Sequence, residues 1–320
     1  MDNMTEMCNV VRIHLKTGGA EGAVDREKLM DFCLFSSEKQ YVVVGWSCAY
    51  INSEKVISTF DDYYKAVQDG IREQPTIFGK RMNAAINRFA ETKENDLFWT
   101  RDLEGNHWIC RAKGKAEAYF DESLDIGAVV PVEAYKYGLE VPGQISASFS
   151  RRRVAEYLGD NDLIVAFSKQ AFNKMSGRKQ YKISKIGNGD MLDNLPPFEL
   201  EELVISYIQI VKDYYVLSNS IANNSTTIKI ECEFRSRDKN NPERAVVQVK
   251  GGRTMIIDAE DYKTYDEDGY IVFFFAPHVL NIDKLRNAIC ITREELIDFY
   301  QEYKAVMPDS ITRWEELITE

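Results

Sequence analysis

Two short stretches in the last third of the chain hold side chains that could do chemistry together. In Glu231-Cys232-Glu233 the two carboxylates share a face if the segment is a strand, because strand side chains alternate. In Gln248-Val249-Lys250 an amide and an ammonium share a face for the same reason. Val246, Val247 and Val249 mark this second strand as buried. A lysine closing a buried strand is costly unless paired, and a carboxylate on the neighbouring strand would pair it. Upstream, Glu201 and Glu202 sit on a segment expected to be a helix packed across the same sheet. Hard divalent cations such as Mg2+ take oxygen ligands of this kind. A metal-bound water becomes a nucleophile near neutral pH, and the metal also stabilises the extra charge of a phosphorane-like transition state. A nearby lysine orients the water or steadies the developing charge. The set points to metal-assisted phosphodiester hydrolysis. The same residues also fit a purely structural ion pair between Glu231 or Glu233 and Lys250.

The elements that must position these groups are legible as patterns. Residues 198–217 read as one helix, with Leu200, Leu203, Val204, Tyr207, Ile208 and Val211 forming an apolar stripe. Residues 226–234 and 245–252 read as two strands joined by the turn-rich 236–243, and a third strand is expected to start within 255–262. Residues 270–277 (YIVFFFAP) read as a buried strand, and Thr292 with Glu295 forms a capping box that opens a final helix. The second half is thus expected to be α/β with a mixed central sheet. In the first half, 9–16 and 41–50 read as strands, the latter broken at Gly45-Trp46. Residues 60–88 have a helical period interrupted by Pro75, and 96–100 with 108–112 form a hairpin across Glu104-Gly105-Asn106. Residues 127–149 are β-rich with Pro131 and Pro142. This half is expected to be α+β: a small, strongly curved β-barrel with helices outside.

At roughly 150 residues per domain, 320 residues suggest about two domains. The net charge of -11 excludes a uniformly basic nucleic-acid coat protein, but not a nucleic-acid enzyme with a local basic face. Residues 151–185 carry nine Lys/Arg against three acids (9 − 3 = +6). Gly187, Asn188, Gly189, Pro196 and Pro197 follow, which is linker chemistry. The expected division is 1–185, a linker at 186–196, and 197–320. The six cysteines form no CxxC pair and there are three histidines, so a structural zinc site is not expected, and scattered thiols suit a reducing cytoplasm. His14, His107 and His278 are isolated in sequence and are read as structural. The N-terminus has no basic region followed by an apolar run, and 270–277 is too short to span a bilayer, so a soluble, cytoplasmic chain without a membrane partner is expected. No GxxxxGK[ST] phosphate loop is present, so any ATPase would be a separate subunit.

The block 198–277 resembles the PD-(D/E)XK nuclease superfamily, in the restriction-endonuclease-like, Mrr-type variant with Gln before the lysine. The order matches: an acid on a leading helix, an acid on the first strand, then Gln-X-Lys on the next. The resemblance implies Glu231 as principal metal ligand, Gln248 and the Val249 carbonyl completing the shell, Lys250 as catalytic lysine and Glu202 as helix acid. It implies Mg2+, with Mn2+ as a substitute. The first-strand acid is Glu where the family more often has Asp; Glu233 competes with Glu231, and Glu199 and Glu201 compete with Glu202. Gly251-Gly252 would turn the backbone away from the site.

Residues 9–150 resemble the PUA-like family that includes EVE and YTH domains and the recognition modules of modification-dependent restriction enzymes, through VVVGWS, NDLFWTR and HWICRAKG. Such barrels hold an extruded base between aromatic walls, where stacking contributes about 1–3 kcal/mol per base. The resemblance makes Trp46, Trp99 and Trp108 candidate walls and Ser47, Asp96 and Arg101 candidate polar readers. Tryptophans of a small β-domain are also ordinary core residues. Arg151, Arg152 and Arg153 are candidates for phosphate contacts, or else a solvated helix start. Together the resemblances imply a two-domain Mg2+-dependent DNA endonuclease of modification-dependent restriction or antiphage defence that acts as a homodimer. The competing expectations are a non-catalytic nucleic-acid sensor with a nuclease-like scaffold, and an RNA-directed reader or nuclease.

Overall fold

A computed structural model describes residues 8–18, 24–51, 53, 56–73, 80–159, 161–187, 191–218 and 230–318. The chain is mixed α and β and divides into two compact units, Met1–Ser184 and Lys185–Glu320. Among the described residues no helix is long and apolar enough to cross a membrane.

The first unit is built on a curled sheet of seven strands: β1 (Val10–Ile13), β2 (Gln40–Val44), β3 (Leu97–Arg101), β4 (His107–Ala112), β5 (Glu117–Asp121), β6 (Ile126–Gly138) and β7 (Ala155–Tyr157). The order is β2-β6-β4-β3-β1-β7, with β5 also paired to β6. Among the described residues the hydrogen-bonded path does not return on itself, so the sheet curls without the closure expected of a barrel. The expected hairpin forms: β3 and β4 are antiparallel, and Asp102 accepts the Asn106 backbone N–H at 2.8 Å across a turn whose Gly105 has φ +87°. The 41–50 strand stops at Val44, because Trp46 takes φ +70° and Cys48–Ile51 is helical. The 60–88 period resolves into two helices, Phe60–Glu73 and Lys80–Glu91; Pro75 lies outside the described residues. The helix Gly143–Ser148 follows Pro142 in place of further strand.

The basic stretch 151–185 conceals a helix that its charge hides from a reading by composition. Asn161 accepts the N–H groups of Leu163 and Ile164 as N-cap, and Gly177 closes the helix in the left-handed region. Leu163, Ile164, Phe167, Ala171 and Phe172 are buried against the sheet. Of the expected linker, Met191–Asn194 is helical and Leu192 and Leu195 are buried; Asn188 and Gly189 lie outside the described residues.

The second unit carries β8 (Tyr214–Val216), β9 (Cys232–Ser236), β10 (Arg244–Val249), β11 (Ile256–Asp258), β12 (Ile271–Phe275), β13 (His278–Leu280) and β14 (Ala288–Cys290). The main sheet runs β14-β12-β10-β9-β8 and is mixed: β10, β12 and β14 are parallel, while β9 and β8 are antiparallel additions. The continuous apolar runs of β10 and β12 fit parallel strands covered on both faces. The third expected strand forms as β11, but pairs with β13 in a separate two-stranded sheet. The leading helix spans Pro197–Ile210 and is shorter than the apolar period suggests. Asp213 adopts φ +58° and the chain then pairs as β8 with β9. The 226–229 part of the expected first strand lies outside the described residues. The Thr292–Glu295 capping box is present in both directions.

Candidate active site at the end of the central sheet

Glu231 leads into β9, and its N–H donates to the Val247 carbonyl at 2.9 Å. That register sets Glu231 beside Gln248 on one sheet face. The Gln248 amide donates from Nε2 to Glu231 Oε1 at 2.7 Å and to the Val249 carbonyl at 3.1 Å. Its Oε1 accepts from the Tyr262 hydroxyl at 2.9 Å. Gln248 is 1% exposed, so this chain of bonds satisfies a polar group that water does not reach. Lys250 follows at the end of β10, half-buried, its N–H donating to Phe275 O at 2.8 Å at the matching end of β12.

The helix Pro197–Ile210 crosses the same strand end. A Cβ on Gly251 would stand 2.7 Å from Cδ2 of the buried Leu200, so any larger residue here makes the leucine shift. The proximity brings Glu201 into the field of Glu231 and Lys250. Burial pushes the Glu201 carboxyl up to about 7; the Glu231 charge adds to this, Lys250 opposes it, and the buried Glu199 adds again. Cys232 senses the same crowd: burial, then Glu231, Glu201 and Glu233, lift its thiol to about 12.

Glu202 is not part of this cluster. Its Oε2 accepts from Ser310 Oγ at 2.5 Å. Adjacent helix positions are about 100° apart, and of the two it is Glu201 that feels Glu231 and Lys250. Glu233 also turns away, toward Arg244 at 3.8 Å. The structure therefore bonds Glu231, Gln248 and Val249 together at the strand end, with Glu201 in the electrostatic field of Glu231 and Lys250. Tyr262 is an addition that sequence reasoning missed, and nothing in its local sequence signals it.

Among the described residues no group of three or more His, Cys, Asp or Glu could hold a metal ion. The cluster here is of a different kind: two carboxylates, a backbone carbonyl and an amide. As found, Gln248 presents nitrogen to Glu231 and its oxygen to Tyr262. Turning the amide over exchanges the two atoms, keeps a hydrogen bond to Tyr262 and makes the set all-oxygen. An all-oxygen set is the kind that hard cations such as Mg2+ or Mn2+ take.

In the first unit the candidate base pocket does not assemble. Trp99 is 0% exposed, donates to Ser168 Oγ at 2.9 Å and stacks on Phe167. Trp108 donates to Asp102 Oδ2 at 2.9 Å and meets Phe35 edge-on. Trp99 pairs with Ile109 and Thr100 with Trp108, so alternation sends the two indoles to opposite faces. Asp96 is buried and accepts the N–H groups of Asn9 at 2.8 Å and Lys93 at 2.9 Å, a structural role. Ser47 is buried, its N and Oγ donating to Asp125 Oδ1 at 3.0 and 2.8 Å. Trp46 alone of the three tryptophans is partly exposed.

The candidate arginines do come together. The Phe149 ring has Arg12 at 5.8 Å, Arg101 at 5.6 Å, and the His14 and His107 rings at 5.5 and 5.4 Å. Arg151 and Arg153 share the carboxylate of Glu156. Arg12 and Glu156 escaped the sequence reading, although an arginine inside the apolar VVRI strand signals a buried partner.

No protein-family model matches the chain, and no curated protein matches it. Among solved structures, the MspJI restriction endonuclease in complex with a 27-mer oligonucleotide is similar at a TM-score of 0.22 and 10% identity, over 76% of this chain and 72% of that one. A likeness at that level carries no argument about fold or function.

Proposed function

We propose that the second unit hydrolyses phosphodiester bonds of DNA with the help of a divalent cation, Mg2+ or Mn2+. The observation that carries this reading is the hydrogen bond between Gln248 and Glu231 at the strand end that Lys250 follows, with Glu201 in the field of Glu231 and Lys250. Glu231, the Gln248 amide oxygen and the Val249 carbonyl would hold the cation, with Glu201 supplying further negative charge. The cation, when bound, supplies a water nucleophile near neutral pH and offsets charge on the phosphate. Lys250 places a positive charge beside the same carboxylates, where it can orient that water and stabilise the charge that develops on phosphate oxygens. Tyr262 holds the Gln248 amide in line. The reading extends to modification-dependent restriction or antiphage defence, with the first unit recognising DNA and two copies of the chain supplying the two cuts. Trp46 is the surviving candidate for contact with an extruded base.

Plasmid nicking tests this. The expected result is nicking with Mg2+ or Mn2+, abolished by chelator and reduced about 100-fold or more by Lys250→Ala. Equal nicking by Lys250→Ala and wild type would remove the site assignment. A second reading, a non-catalytic DNA-binding protein, is favoured by the Glu231–Gln248–Tyr262 chain, in which every bond is already made without a cation. It predicts DNA binding by the wild type with no nicking under any divalent cation.

A further inference from the structure

The first unit has a face where positive charge exceeds what the protein itself neutralises. Glu156 on β7 lies opposite Arg12 on β1 and accepts from its Nη2 at 2.9 Å. Arg151 bonds the other oxygen of the same carboxylate, and Arg153 stands 3.8 Å from it. Three guanidinium groups thus share one carboxylate. Arg12 is 0% exposed, and its other donor is spent on the Arg153 and Val154 carbonyls, which ties the 151–156 backbone to the sheet. Its Nε–H has no acceptor among the described residues.

Arg152 and Arg101 have no carboxylate partner among the described residues, and both side chains are exposed. Arg152 lines a cleft of about 620 Å³ between Ala84 and Ala85 of the helix Lys80–Glu91 and the 151–156 segment. Arg101 lies over the Phe149 ring, 5.6 Å from its centroid. His14 reports the local field: burial, with the Arg12 and Arg101 charges, holds it below its usual range despite its bond to the Arg151 carbonyl. The surface has more cationic donors than acceptors, on a chain whose net charge is -11.

We propose that this face binds the phosphodiester backbone of duplex DNA, with Arg152 at the cleft and Arg101 beside Phe149 as the direct phosphate contacts. Glu156 accepts from Arg12 and Arg151 and stands 3.8 Å from Arg153, neutralising one of their three charges, while Arg152 and Arg101 have no carboxylate partner among the described residues. The three arginines of the run therefore do different work. The choice of DNA rests on the reading of the second unit; the phosphate site itself does not.

The test measures binding apart from cutting. Full-length Lys250→Ala protein is titrated into a labelled DNA duplex in chelator, by fluorescence anisotropy over a salt series. Each phosphate contact contributes about 0.9 to the slope of log K against log salt. Arg152→Ala and Arg101→Ala, each in the Lys250→Ala background, are expected to weaken binding about tenfold and lower the slope by about one. Lys28→Ala, which removes an exposed lysine elsewhere on the unit, is expected to leave both unchanged. Unchanged slopes for both arginine variants, or an equal loss for Lys28→Ala, would overturn the site. Binding of an RNA duplex with the arginine-dependent slope, and none of DNA, would overturn the choice of DNA. Wild-type nicking with Mg2+ is scored separately, so failed catalysis with arginine-dependent binding sinks the hydrolase reading and leaves this inference standing.

Discussion

Gln248 shows how much one residue can constrain. Its amide has two donors and one acceptor site engaged, and water cannot replace a lost partner at 1% exposure. Tyr262→Phe leaves the amide oxygen buried without a donor, and a destabilisation of about 1–3 kcal/mol is expected in urea unfolding. Because the ring volume is kept, a loss near zero would mean that the hydroxyl does not reach the amide. Glu231, which accepts from Gln248, is also the proposed cation ligand. Saturating Mg2+ is expected to raise the thermal midpoint of the wild type, because a ligand that binds only the folded state stabilises it by mass action. Glu231→Gln is expected to lose most of that rise, and an equal rise in both proteins would place the cation elsewhere.

Between elements, the decisive contact is the approach of the helix Pro197–Ile210 to the end of β10. Gly251→Ala forces a Cβ against the fully buried Leu200, and about 1–3 kcal/mol of destabilisation is expected from overpacking. Nicking should fall with it, because the same shift moves Glu201 from Lys250. In the first unit, Glu133 on β6 joins three elements: it pairs with Arg111 of β4 at 3.1 Å and with Arg178 after the basic helix, and accepts from Tyr135. Burial alone would raise its carboxyl, but Arg178, Tyr135 and Arg111 outweigh burial and hold it at about 2. A depressed carboxyl contributes stability above its unfolded value, and that contribution is lost as pH falls from about 4.5 toward 2. Glu133→Gln is therefore expected to cost about 1–2 kcal/mol at neutral pH, after allowance for solvent screening, and to flatten the acid limb of the stability profile. Urea midpoints across that pH range check both parts.

At the scale of the whole molecule, the groups proposed to react lie in Lys185–Glu320 and the arginines proposed to bind phosphate lie in Met1–Ser184. Lys250→Ala is accordingly expected to abolish nicking while leaving DNA affinity within about twofold, measured by anisotropy in chelator. A parallel loss of both would show that the lysine holds DNA rather than assists chemistry.

What the sequence determined by itself was local. Alternation in Glu231-Cys232-Glu233 announced β9, apolar runs announced β10 and β12, the Glu104-Gly105-Asn106 turn announced the β3–β4 hairpin, and the Thr292–Glu295 box announced the last long helix. Gln248 and Lys250 were legible because strand spacing is fixed by bond geometry. Tertiary structure decided everything that depends on rotation about an element or on distant partners. It chose Glu201 over Glu202, parted Trp99 from Trp108 across a sheet, and recruited Tyr262 to the Gln248 amide. It also bonded Arg12 to Glu156 across 144 positions of chain. Short-range patterns record the period of a backbone; which face meets which neighbour is settled by packing, to which residues far apart in sequence contribute together.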